Sequence, residues 1–355
     1  MTVYIVDIEA VDTRYTKQWK EHLPKQLGEH YNGGDVVVIS GGETPQATTP
    51  GAFLNFGGTN VYKSNQLEQI GTMFCEGKIK DGDYFLYTDA WNPTVIQLKY
   101  MASLLGVDIR IGGMWHAGSY DPQDFLGRLI GDASWVRNAE MSMYECYDDN
   151  FFATKFHIDL FTNTFWNDDR DIDRQLLHSI KQVGWPMEYL KETLEPYKGA
   201  PKYNTIVFPH RVAPEKQPEI FKDLAESMPQ YNWVIAQDKQ LSKDEYHKLL
   251  ATSKLVFSAN LQETLGISWY EGSLVGTLPL VPDRLSYSEM ATPDVLYPSE
   301  WTESWDSYIK HKDKLIAHID KMMTLNDYES VCDQLEKKVD KFFDGKRLYE
   351  ATETF

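Results

Sequence analysis

Cysteine is scarce in this chain of 355 residues. Cys75, Cys146 and Cys332 are far apart and odd in number. They form no CxxC pair and no metal-ligand spacing, which excludes a disulfide framework and a cysteine-based zinc site. A reduced, cytoplasmic setting is expected. Long apolar runs are also missing. No stretch approaches the roughly 18 apolar residues that a membrane-spanning helix needs, so no membrane span is expected. The N-terminus, MTVYIVDIEA, carries two acids and no basic segment. It reads as a first strand and not as a secretory signal. Positive charge is the third shortage: 35 Lys and Arg stand against 53 Asp and Glu, a net charge of −18. Residues 1–175 hold 14 basic and 25 acidic residues, net −11; the remainder holds 21 and 28, net −7. Such a chain repels polyanions unless it builds a local basic face.

What is present is a repeated rhythm of strand and helix. VYIVDI (3–8), DVVVIS (35–40), DYFLYTD (83–89) and VDIRIGGMWH (107–116) are apolar and β-rich, as buried strands are. A helix is predicted over 14–30 and another over VIQLKYMASLLG, where Pro93 precedes the start and Gly106 supplies the stop. Residues 176–204 carry Gly184, Pro186, Pro196, Gly199 and Pro201, a composition suited to a linker. The rhythm then restarts with strands at 204–211, 231–238, 254–260 and 277–283. Helices are predicted between them and near 303–324 and 326–345. Ser242 and Glu245 form the sequence of a capping box. The fold class read from this pattern is α/β, with two doubly wound Rossmann-like domains facing a cleft. The domains expected are 1–183 and 184–330, with a helical segment at 331–355 that packs back on the first.

Two motifs in the second half carry chemistry. In FPHRVAPEK, Arg211 and Lys216 follow a strand, five residues apart. Two cations at a strand's C-terminal end can clamp a diphosphate, Arg as a fork and Lys as a point charge. In ETLGISWYE, Glu263 and Glu271 stand eight apart around Gly266. At 3.6 residues per turn the two carboxylates would share a helix face. The glycine lets a ligand approach the helix N-terminus, where backbone N–H groups bind phosphate.

Together these motifs resemble glycosyltransferase family 4 of the GT-B fold, over roughly residues 200–300. The resemblance implies a transferase that uses a nucleotide-diphosphate sugar, here a UDP-sugar, and retains anomeric configuration without a metal or other cofactor. Arg211 and Lys216 would bind the diphosphate. Glu263 and the backbone of Gly266 and Ile267 would hold the sugar and distal phosphate, and Glu271 the ribose. His210 departs from the glycine usual before the arginine. In the first half, His116 is placed like the family's cleft histidine, so His116 and Glu263 are the expected catalytic residues. The family's glycine-rich first loop is missing, and Glu9 to Tyr15 stands in its place.

Longer blocks, WNPTVIQLKYMASLLG (91–106), WHAGSYDPQDFLGRLIGD (115–132) and FFATKFHIDLF (151–161), look like those of glycosyltransferases encoded by large tailed phages. That group implies 5-hydroxymethylcytosine in duplex DNA as acceptor. Arg14, Trp91, Trp115 and Tyr120 are then the acceptor-binding residues, the aromatics serving as stacking platforms for an extruded base. Lys17, Lys20, Lys25, Lys99, Arg128 and Arg137 are the further candidate cations. A saccharide, lipid-linked or small-molecule acceptor is the alternative that the net acidity favours. A non-catalytic sugar-nucleotide binder is the third reading. The D-x-D patterns of Asp169 to Asp173 lie in an acidic polar run and not after a strand, so no metal site is expected there.

Overall fold

The computed structural model describes residues 1–11, 15–31, 35–45, 47–49, 52, 54–166 and 178–353. The chain forms two compact units. The first comprises Met1–Met187 with Asp344–Phe355, the second Glu188–Phe343.

In the first unit, six described strands form one parallel sheet. They are β1 (Val3–Val6), β2 (Val36–Ile39), β3 (Tyr84–Tyr87), β4 (Arg110–Met114), β5 (Asp149–Phe152) and β6 (Ile180–Gln182), in the order β2-β1-β3-β4-β5-β6. Val3, Tyr4, Ile5 and Val6 are all at most 4% exposed. That is the signature of a strand covered on both faces, as parallel sheets are. Helices α1 (Thr16–His30), α2 (Phe56–Cys75), α3 (Thr94–Leu105), α4 (Phe125–Ile130), α5 (Ser134–Cys146) and α6 (Lys155–Trp166) make the crossovers. Helix α3 ends at Gly106, whose φ of 66° is the left-handed conformation that a glycine stop supplies.

Helix α2 has no counterpart among the sequence expectations. Asn55 caps it by accepting from the Gly58 amide. Its buried face alternates polar Thr59 and Gln66 with Tyr62 and Ile70. Helical spacing is present, but polar residues interrupt the apolar periodicity. Gln66 explains this choice of residue: its amide donates to the backbone oxygens of Asp7 and Ile39 at 2.7 and 2.8 Å, tying the helix to the ends of β1 and β2.

The second unit carries α7 (Tyr189–Leu194), β7 (Tyr203–Phe208), α8 (Pro218–Ser227), β8 (Asn232–Ile235), α9 (Lys243–Thr252), β9 (Ser253–Phe257), α10 (Ile267–Leu274), β10 (Leu278–Pro282), α11 (Leu285–Met290) and β11 (Leu296–Tyr297). Its described strands run in the order β11-β10-β9-β7-β8, all parallel. The capping box of Ser242 and Glu245 is formed at the start of α9. Helices α12 (Trp305–Met323) and α13 (Tyr328–Val339) complete the unit. Helix α13 falls in the range expected for a separate C-terminal segment, yet it lies in the second unit. The last helix, α14 (Lys346–Ala351), belongs to the first unit, where the hydroxyls of Tyr31 and Thr352 meet at 2.5 Å.

Each sheet has one place where the strand order reverses. In the first it lies between β1 and β3, and in the second between β7 and β9. At such a point the loops leave in opposite directions and open a crevice at the strands' carboxyl ends, where ligands of doubly wound sheets bind.

Candidate functional site

The motif residues of the second unit meet at its reversal point. Arg211 and Lys216 follow β7; Glu263 and Gly266 follow β9. Lys216 is 7% exposed. Its ammonium donates to the Gln262 carbonyl at 2.5 Å and stands 3.4 Å from the Glu263 carboxylate. Arg211 is half-buried and pairs with the Glu215 carboxylate at 2.5 Å. Each of the two cations is thus held by an acid. Glu215 lies inside the R-x4-K span at i+4 from the arginine, a spacing that signals such a pair.

The loop after β9 is pinned from below. The half-buried Arg284 guanidinium donates to the carbonyls of Ala259 and Asn260, each at 2.7 Å. The Gln217 amide donates to the Ala259 carbonyl at 2.6 Å. Asn260 in turn donates to the Tyr287 hydroxyl at 2.9 Å and to Glu263 at 3.4 Å. These residues have no motif spacing and emerge only from the fold.

Gly266 is the N-cap of α10 with φ 87° and ψ 65°. A Cβ there would meet Trp269 Nε1 at 2.2 Å. No side chain caps this helix. Its first-turn amides, Ile267 included, therefore lack the usual competing side-chain oxygen.

The two glutamates do not share a helix face. Glu263 precedes α10 and belongs to the loop, so helical azimuth does not apply to it. Glu271 is within the helix and 8% exposed, with the Tyr246 hydroxyl 3.2 Å from its carboxylate. Burial pushes its carboxyl up to about 7, against the opposing pull of Lys243 and the Tyr246 hydrogen bond. His210 packs edge-on against Phe208 with ring centroids 5.1 Å apart. Burial, and then Lys216, hold its imidazole well below the usual range, so it adds no charge to the site.

In the first unit, His116 follows β4. Its Nδ1 is 2.9 Å from the Tyr15 hydroxyl and its Nε2 2.8 Å from the Thr88 carbonyl. A carbonyl only accepts, so Nε2 carries the proton and Nδ1 accepts from Tyr15. Both ring nitrogens are engaged, and the ring's orientation is set. Trp115 and Tyr120 are each 1% exposed. Trp115 donates to Asn150 at 2.7 Å, and the Tyr120 hydroxyl lies 2.5 Å from His157 Nε2. Neither ring presents a face to a ligand, which corrects their expected role as stacking platforms: both fill the core against Phe161. Trp91 is half-buried, with its indole N–H on Glu140 at 3.0 Å. Arg14 and the Asp169–Asp173 run lie outside the described residues.

Four of the remaining candidate cations each have an acid nearby, while Arg128 donates to the Gln123 carbonyl. Lys20 lies 3.6 Å from Asp7, Lys25 4.0 Å from Glu29, Lys99 3.0 Å from Asp148 and Arg137 2.9 Å from Glu140. Among the described residues, no group of three His, Cys, Asp or Glu could hold a metal ion, and no helix is long and apolar enough to cross a membrane.

No family model matches the chain, and no curated protein matches it in sequence. Solved structures match it in fold. Sucrose-phosphate synthase from Thermosynechococcus elongatus aligns with a TM-score of 0.64 at 9% identity, over 99% of this chain and 96% of that one. HepE of Anabaena, solved in complex with UDP, gives 0.60 at 10% identity over 99% of each chain. WaaG, a glycosyltransferase involved in lipopolysaccharide biosynthesis, gives 0.56 at 11% over 99% of each. The fold is therefore the GT-B fold of glycosyltransferases, with two Rossmann-like domains.

Proposed function

We propose that this chain is a retaining, metal-independent glycosyltransferase that uses a UDP-sugar. One observation carries the reading: at the reversal point of the second sheet, Lys216 and Glu263 stand 3.4 Å apart beside the uncapped N-terminus of α10. A cation, helix amides and a sugar-binding carboxylate at one strand end form a cradle for a sugar diphosphate. UDP is the nucleotide named because HepE has been solved with UDP and with UDP-glucose. In the proposed reaction the bond from the sugar's anomeric carbon to the diphosphate oxygen breaks, and the electron pair leaves with the diphosphate. The acceptor oxygen bonds to that carbon and gives its proton to the departing phosphate. Arg211, Lys216 and the amides of Ile267 and its neighbours stabilise the charge that develops, so catalysis rests on position and electrostatics. Intact charged residues at all four donor positions favour turnover over simple binding.

The acceptor we propose is a hydroxyl, first that of 5-hydroxymethylcytosine in DNA, on the strength of the first-unit sequence blocks. The pairing of Lys20, Lys25, Lys99 and Arg137 with acids favours a second reading, a saccharide or small-molecule acceptor, since phosphate contacts need available cations. The test is release of nucleotide from a panel of UDP- and GDP-sugars in EDTA, with and without hydroxymethylated DNA, across a salt series. UDP release stimulated by hydroxymethylated DNA and lost at high salt is the expected result. Stimulation by neutral glycosides alone selects the second reading. Dependence on added Mg²⁺ or Mn²⁺ refutes the metal-independent reaction.

A further inference from the structure

Three consecutive residues of the loop after β7 each reach the loop after β9. The Glu215 carbonyl accepts from the Leu261 amide at 2.8 Å. Lys216 donates to the Gln262 carbonyl. The Gln217 side-chain amide donates to the Ala259 carbonyl at 2.6 Å. It donates also to the Thr302 carbonyl, in the segment before α12, at 2.6 Å. Lys216 thus has a cross-link on either side of it in the chain, besides the one its own ammonium makes. Gln217 is 3% exposed, so its bonds are sheltered from competing water.

The backbone at Gln217 is strained to make this link. Its φ of 51° and ψ of 52° lie in the left-handed region, which costs any residue with a Cβ. Pro218 follows, and a proline restricts the residue before it to extended backbone. A long amide is an unfavourable choice for such a position unless its side chain is needed. It is not needed to satisfy its acceptors. Arg284 also donates to the Ala259 carbonyl, at 2.7 Å, and to the Thr302 carbonyl, at 3.2 Å. What Gln217 alone adds is a side-chain tie between the turn that carries Lys216 and the loop that carries Glu263.

We infer that Gln217 is a positioning residue for the donor diphosphate and acts through Lys216. The inference rests on the transferase reading above. A lysine is a point charge on a flexible four-carbon stem, and ordering that stem on binding costs affinity. Fixing the backbone on both sides of Lys216 sets where its ammonium stands against Glu263 before the nucleotide arrives, so that cost is met when the chain folds. Arg284 holds the opposite side of the same two carbonyls and keeps the tie from giving way.

The test is a double-mutant cycle on the full chain, read by calorimetric titration with UDP and by the thermal midpoint. Gln217→Gly suits the left-handed backbone and leaves both carbonyls with Arg284, so the variant should fold. It should bind UDP roughly fivefold or more weakly than wild type, within the range of coupling between neighbouring residues. Added to Lys216→Ala, the same substitution should change the Kd by less than about twofold, because the residue it acts through is gone. A purely structural Gln217 would lower the midpoint and leave UDP affinity unchanged, and that result overturns the inference. An equal loss of affinity in both backgrounds overturns it too. A wild-type chain that binds no UDP overturns the transferase reading itself.

Discussion

Lys216, carried by the loop after β7, stands 3.4 Å from Glu263, carried by the loop after β9. The two residues are 47 apart in the chain, and the strand order alone brings them together. The pair spans the crevice in which the second sheet reverses. A diphosphate entering there would exchange one anionic partner of Lys216 for another, so the lysine is positioned before the ligand arrives.

Replacing either cation should therefore weaken nucleotide binding. Lys216→Ala and Arg211→Ala are each expected to cost about 1.5–3 kcal/mol, the scale of a charge-assisted hydrogen bond, or roughly ten- to 150-fold in the Kd for UDP. Isothermal titration calorimetry with UDP measures this directly. Wild-type affinity in both variants would show that the diphosphate binds elsewhere.

Glu271 should impose a pH dependence. Its carboxyl titrates at about 7 in the folded chain against 4.5 for the free group. Stability present below pH 4.5 is thus lost as pH rises toward 7, by about 3 kcal/mol at 1.36 kcal/mol per unit. A ribose that binds the carboxylate form has to displace that proton, so UDP affinity should rise from pH 5.5 to 7.5. Glu271→Gln should flatten both slopes. Glu263→Ala should instead spare UDP and weaken UDP-glucose. Equal losses of UDP affinity in the Glu263 and Glu271 variants would dissolve this division of roles.

Gly266 should tolerate no side chain. Its φ of 87° and the 2.2 Å approach of a Cβ to Trp269 predict that Gly266→Ala destabilises the second unit by about 2–3 kcal/mol. Denaturant unfolding gives the stability, and UDP titration of the surviving folded protein reports whether the start of α10 has moved. An unchanged unfolding midpoint would mean that the loop relaxes without strain.

Much of this was legible along the chain. The strands around VYIVDI, DYFLYTD and TLPLVPD were visible as apolar, β-branched runs, because burial on both faces writes a local pattern. Placement of Arg211, Lys216, Glu263 and Gly266 at strand ends followed from the same pattern. Other features were invisible. Helix α2 buries Thr59 and Gln66 between Tyr62 and Ile70, so the apolar period of its inward face is broken. Trp115 and Tyr120 looked like stacking platforms because aromatic content does not say which side of a strand end is covered; Phe161, some forty residues on, covers both. The bridge from Gln217 to the carbonyls of Ala259 and Thr302 is likewise a matter of neighbours contributed by distant loops. Periodicity is a short-range property and is carried by consecutive residues. Which strand ends adjoin, which charge meets which, and which polar group is left over depend on strand order, and that is settled only when the sheets close.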